Sequence, residues 1–157
     1  MGGYAVGALS PTAISTLLSK LGRARAQGQL SWSSLKPHTQ QGLIHVRTAV
    51  EDCPDGMLRA YFVLARPDRF HVQYLVNRVP VRRLDVNDNH KGLPPDTTHK
   101  HTYVPQTGAE GAYVPDDIPP VPLGPTVAAG TYRRVFEAFA SECFIELPEG
   151  YWTEPGR

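Results

Sequence analysis

At 157 residues, with 41% apolar and 20% charged side chains, the chain has the composition of one globular domain large enough to bury a core. No run approaches the roughly 18 apolar residues of a membrane helix, which argues against a membrane partner. Two cysteines, Cys53 and Cys143, without a CxxC, are too few for a disulfide scaffold or a zinc finger. The net charge of +1 conceals an asymmetry: residues 1–50 hold five Lys/Arg and no Asp or Glu, whereas residues 101–157 hold three basic and eight acidic residues. A basic N-terminal half suits nucleic acid or an acidic partner, although the near-neutral total argues against a dedicated DNA-binding protein.

In chain order, residues 1–9 are small and apolar and read as a loose lead-in, with no basic-then-apolar leader, so a cytoplasmic location is expected. Ser10-Pro11 predicts a helix start, an N-cap followed by proline at the first helical position. Ile14, Leu17, Leu18 and Leu21 then form one apolar stripe. Residues 29–41 read as a connector in which Trp32 and Leu35 alone ask for burial.

Four strands are predicted next, over 42–51, 57–65, 69–76 and 79–86. They are separated by the turns Cys53-Pro54-Asp55-Gly56, Arg66-Pro67-Asp68 and Asn77-Arg78. Phe70, Val72, Tyr74 and Val76 share a face. Connections this short imply an antiparallel meander, because a parallel pair needs a long crossover. A polar loop over 87–98 leads to a fifth strand at 99–104. Residues 105–130, with six prolines and four glycines, predict a long irregular loop. From Thr131, the apolar spacing of Tyr132, Val135, Phe136, Phe139 and Cys143 predicts a second helix. Phe144-Ile145-Glu146-Leu147 could add a short strand before a tail over 148–157.

The fold expectation is therefore a single α+β domain over residues 1–157. It comprises an N-terminal helix, an antiparallel β-meander of about five strands, and a C-terminal helix packed on one face.

The chemistry concentrates in Arg82-Arg83-Leu84-Asp85 and Thr98-His99-Lys100-His101-Thr102-Tyr103. Alternation puts Arg82, Leu84 and Val86 on one face of their strand and Val81, Arg83 and Asp85 on the other. His99, His101 and Tyr103 share a face of the next strand. Sequential strands are commonly neighbours, which would bring these polar residues together, with His90 approaching from the loop. Three uses fit. Asp85, His90, His99 and His101 are candidate ligands for a transition metal. Alternatively, His99 and His101 could act as base and acid of a metal-independent ribonuclease, with Arg83 on phosphate and Tyr103 assisting. Lys100 would point to the opposite face. The third use is a partner-binding or purely structural surface, and on the sequence alone a protein partner is the favoured reading, with RNA possible and no cofactor required.

Asp85-Val86-Asn87-Asp88-Asn89 has the form of a calcium-binding acid–amide run. It lacks the glycine and glutamate of an EF-hand loop, which this chain replaces with His90 and Asp96. Such runs are also ordinary turn chemistry.

Arg83-Leu84-Asp85 followed by His99-x-His101-x-Tyr103 resembles an uncharacterised family of small prophage and mobile-element proteins that carry an Arg-Leu-Asp strand and then a Pro-x-His-x-His-x-Tyr strand. Thr97 stands in place of that proline. The resemblance implies no particular activity. It implies a mobile-element context, where small proteins serve as toxins, antitoxin partners or inhibitors of host defence.

Overall fold

The computed structural model describes residues 9–50, 53–104 and 110–156. The expected lead-in over 1–9 lies, apart from the buried Leu9, outside them. The class is α+β, as the sequence predicts. A seven-stranded sheet runs in the order β1 (Arg25–Lys36), β2 (Thr39–Arg47), β3 (Gly56–Val63), β4 (His71–Val76), β5 (Val79–Asp88), β6 (Thr97–Tyr103), β7 (Glu110–Tyr113). Every neighbouring pair is antiparallel. Two helices, α1 (Pro11–Leu17) and α2 (Thr131–Glu142), contribute to the same apolar core as the sheet.

Alternation sorts the sheet into two faces. Ile44, Val46, Leu58, Ala60, Phe62, Val72, Tyr74, Val76, Leu84 and Val86 are buried with Val135, Phe136, Phe139 and Ala140 of α2. Tyr132 stacks on Phe70, with centroids 4.5 Å apart. The other face is polar and carries the candidate site.

The Asn77-Arg78 turn has φ of 53° and 64°, the double left-handed geometry of a two-residue hairpin. The β4–β5 register slips between Tyr74 and Leu75, leaving Val81 as a bulge. Val81 is consequently buried rather than exposed on the polar face with Arg83 and Asp85.

Four sequence expectations change. Among the described residues the sheet has seven strands, not about five, because the supposed connector holds most of β1 and the Pro-rich region holds β7. β1 turns only Ala26, Leu30 and Trp32 inward, and its pairing slips between Gln27 and Ser31. Such an edge strand is held by its backbone ladder and shows no clean period. The N-terminal helix stops at Leu17. Ser10 caps it, accepting from Ala13 N at 3.0 Å, but Ser19 then caps a separate 3-10 turn at Lys20–Gly22. Leu21 is left 77% exposed, outside the stripe. Residues 144–147 make one parallel bridge, Arg25 to Glu146, rather than a strand.

The tail is tied down. Trp32 Nε1 donates to the Thr153 carbonyl at 2.9 Å, Thr153 Oγ1 donates to the Leu30 carbonyl at 2.6 Å, and Tyr151 is buried. Trp32 lies flat over Gly42, where a Cβ would come within 2.9 Å of its ring.

Candidate functional site

The pairing on which the site depends is present. Arg83 stands opposite His101 and Asp85 opposite His99. The meander extends both rows across the polar face: Tyr61, His71, Asp85 and His99 form one, and Arg59, Gln73, Arg83 and His101 the next.

Asp85 is the hub. Its Oδ1 accepts from His71 Nδ1 at 2.7 Å. Its Oδ2 accepts from Arg83 Nε at 3.2 Å and lies 3.2 Å from His101 Nε2 and 3.5 Å from His99 Nε2. Burial alone would raise the Asp85 carboxyl, but the His71 hydrogen bond and the charge of Arg83 outweigh it and hold it below the ordinary carboxylate range.

The tautomers follow from the partners. His99 Nδ1 lies 2.8 Å from the Thr97 carbonyl, an acceptor only, so Nδ1 carries a hydrogen; Nε2, 3.5 Å from Asp85 Oδ2, offers a lone pair in the neutral ring and an N–H in the protonated one. His101 Nε2 lies 2.9 Å from Arg83 Nη2, a donor only, so it too presents a lone pair. With His99 neutral, two imidazole nitrogens and a carboxylate oxygen converge as acceptors, all within 4.8 Å of one another. His99 and His101 are 1% and 4% exposed.

His90 arrives from the loop as expected, its ring 5.1 Å from each of the other two imidazoles. Its Nδ1 donates to the Lys91 carbonyl at 2.8 Å. Tyr103 is not brought into the cluster. It sits about 7 Å further along β6, half-buried against the core, with no hydrogen bond or ring contact to the cluster among the described residues. Lys100 lies on the opposite face, fully buried.

His71 and its neighbours were missed in the sequence, although the signal was there. Phe70, Val72, Tyr74 and Val76 point inward, so His71 faces outward, and a meander sets it beside Asp85. Tyr61 stacks on His71 at 4.6 Å and Arg59 sits over the Tyr61 ring at 4.5 Å. His71, Asp85 and Asp88 make a second His/carboxylate group, but Asp88 also pairs with Arg69 at 3.5 Å.

The acid–amide run is turn chemistry. Asn87, at φ 53°, donates through Nδ2 to the carbonyls of Asp68 (2.9 Å) and Val121 (2.8 Å). Asp88 Oδ1 accepts from Asn89 N, and Asn89 Oδ1 accepts from Asp96 N. The thiols are held as thiols: burial pushes Cys143 up to about 12, and burial with the nearby Asp55 raises Cys53. No helix among the described residues is long and apolar enough to cross a membrane.

Comparison with protein families, with characterised proteins and with solved structures finds no match to this chain.

Proposed function

We propose that the chain binds one divalent first-row transition ion through Asp85 Oδ2, His99 Nε2 and His101 Nε2. The observation that carries this reading is the convergence of His99 Nε2, His101 Nε2 and Asp85 Oδ2 within 4.8 Å of one another, with His99 Nε2 3.5 Å from the carboxylate oxygen. Buried acceptors facing each other repel unless a cation lies between them, either a proton on His99 or a metal ion in its place. The spacing fits, since ligand atoms at zinc bond lengths stand about 3.3–3.4 Å apart around a tetrahedral ion. The outer contacts also fit. The Thr97 carbonyl holds His99 through its other nitrogen, and His71 holds Asp85 through its other oxygen, which are the contacts that orient metal ligands.

Three protein ligands leave a coordination position for water, the count of catalytic rather than closed structural zinc sites. An ion there would activate that water as a nucleophile. Arg59 and Arg83 on the same face favour an anionic substrate. The acid–base ribonuclease reading has less support, because Tyr103, which would assist, stands outside the cluster, and Lys100 turns to the core. Binding of a protein partner, or a role in a toxin–antitoxin or anti-defence system, has no feature of comparable specificity behind it.

The test is metal content after chelation and reloading with Zn2+ or Co2+. One equivalent is expected in the wild type and in His45→Ala, an exposed histidine elsewhere on the sheet, but none in His99→Ala or Asp85→Asn. An ion held equally well by His99→Ala, or no ion in the wild type, sinks the reading.

A further inference from the structure

A cleft of about 860 Å³ opens at the β1 edge of the sheet, four strands away from Asp85. Its lining explains the charge asymmetry. Of the five Lys/Arg among the first fifty residues, Lys20, Arg23, Arg25 and Arg47 line it, with Glu146 as the one acid among the described lining residues. Arg25 pairs with Glu146 at 3.2 Å and Arg47 with Asp55 at 4.0 Å. Both pairs are well exposed and therefore weak, so these cations remain available to an anion.

The backbone supplies an independent observation. Phe144 lines the same cleft at φ 55°. The bonds Ile145 N to Ala140 O (2.9 Å) and Phe144 N to Ser141 O (3.1 Å) close α2 in a Schellman motif, with Phe144 at the position glycine normally takes. A bulky aromatic in that conformation is strained, and packing does not explain it. The ring is 44% exposed, stands outside the core cluster and makes no ring contact among the described residues. Arg23, on the rim, repeats the pattern as the left-handed cap of the 3-10 turn, at φ 47°. Strain of this kind concentrates at binding sites.

We propose that this cleft binds single-stranded nucleic acid, with a base stacked on Phe144 and phosphates held by Lys20, Arg23, Arg25 and Arg47. An exposed ring set among cations is the recognition chemistry of a single strand. A duplex keeps its base faces covered, and an acidic peptide would use the cations but leave the strained ring without a role. This inference is independent of the metal site.

The experiment is fluorescence anisotropy with labelled oligouridylate and oligodeoxythymidylate on the full chain. Binding should weaken with salt at a log–log slope of about −3, or about −0.7 for each of four phosphates. The two oligonucleotides separate recognition of ribose from recognition of the shared phosphate and base. Phe144→Gly should weaken binding about 10-fold while the melting temperature holds or rises, because glycine relieves the left-handed strain. Arg25→Gln with Arg47→Gln should roughly halve the salt slope. Wild-type binding by Phe144→Gly, a melting temperature lowered as by a core truncation, or equal affinity for a polyglutamate peptide would each overturn the proposal.

Discussion

Arg83 is the residue on which the proposed metal site turns. Its Nη2 lies 2.9 Å from His101 Nε2 and its Nε 3.2 Å from Asp85 Oδ2, two of the three atoms a metal would take. Guanidinium and ion therefore compete for the same lone pairs, and loading must turn Arg83 aside. Arg83→Met keeps much of the stem and removes the competitor. Zinc affinity, measured by competition with a chromogenic chelator, should tighten by about 10-fold or more, the equivalent of one charge-assisted hydrogen bond of about 1.5–3 kcal/mol. The metal-free variant should melt lower than wild type, because Asp85 loses a charge partner. Unchanged or weaker affinity would show that Arg83 belongs to the site rather than competing for it. At this scale the sequence was informative. Arg83, Asp85, His99 and His101 could be placed together from period-two alternation and strand adjacency, and His71 follows from the same rule applied one strand earlier. The same rule put Tyr103 with the histidines, but it lies half-buried against the core and outside the cluster, and alternation says nothing about how far along a strand a cluster extends.

At the scale of elements, the Pro-rich segment shows what local pattern does not reveal. Its composition predicts an irregular loop, yet it contributes β7 and is clamped to the sheet. Asn87 Nδ2 bridges the carbonyls of Asp68 and Val121, Asp68 Oδ2 accepts from Gly124 N at 3.0 Å, and Val121 is buried in the core. These bonds join residues far apart in the chain, so no short window contains them. β1 is hidden for a different reason, since an edge strand with a slipped register needs few inward side chains. Asn87→Ala should cost about 2–4 kcal/mol, from two buried carbonyls losing their donor, with protease cleavage between residues 114 and 130 rising in step. Stability unchanged in chemical denaturation would contradict the clamp. Its pH dependence has a definite sign. Burial would raise the Asp68 carboxyl, but the Gly124 amide and Arg66 outweigh it and hold it below 3.8. A depressed folded-state value means the contribution is present at neutral pH and is lost as pH falls through the ordinary carboxyl range toward the folded value. Asp68→Asn should accordingly be less stable at pH 7 and show a flatter loss of stability on acidification.

Across the whole molecule, β6 joins two chemistries back to back. His99 and His101 face the open side, while Lys100 between them enters the core side, opposite Leu84. There its Nζ meets Asp117, 2.9 Å from both carboxylate oxygens, and Glu142 of α2. Glu142 also receives Arg82 at 2.7 Å and Tyr113 at 2.8 Å, whose hydroxyl is pushed up to about 12, first by burial and then by Glu142. Two cations and two carboxylates thus cancel in a seam that fastens β5, β6 and β7 to α2. Alternation placed Lys100 on this side, but its partners lie 17 and 42 residues away and could not be read from the strand. Removing one member of a buried charge network leaves the others uncompensated. Lys100→Met should therefore cost about 3–5 kcal/mol in denaturant unfolding, and adding Glu142→Gln should recover part of that loss. The same lysine holds the strand that carries His99 and His101, so Lys100→Met should also weaken zinc binding without touching a ligand. Unfolding that moves while zinc affinity stays at the wild-type value would mean the two faces of β6 are energetically separate.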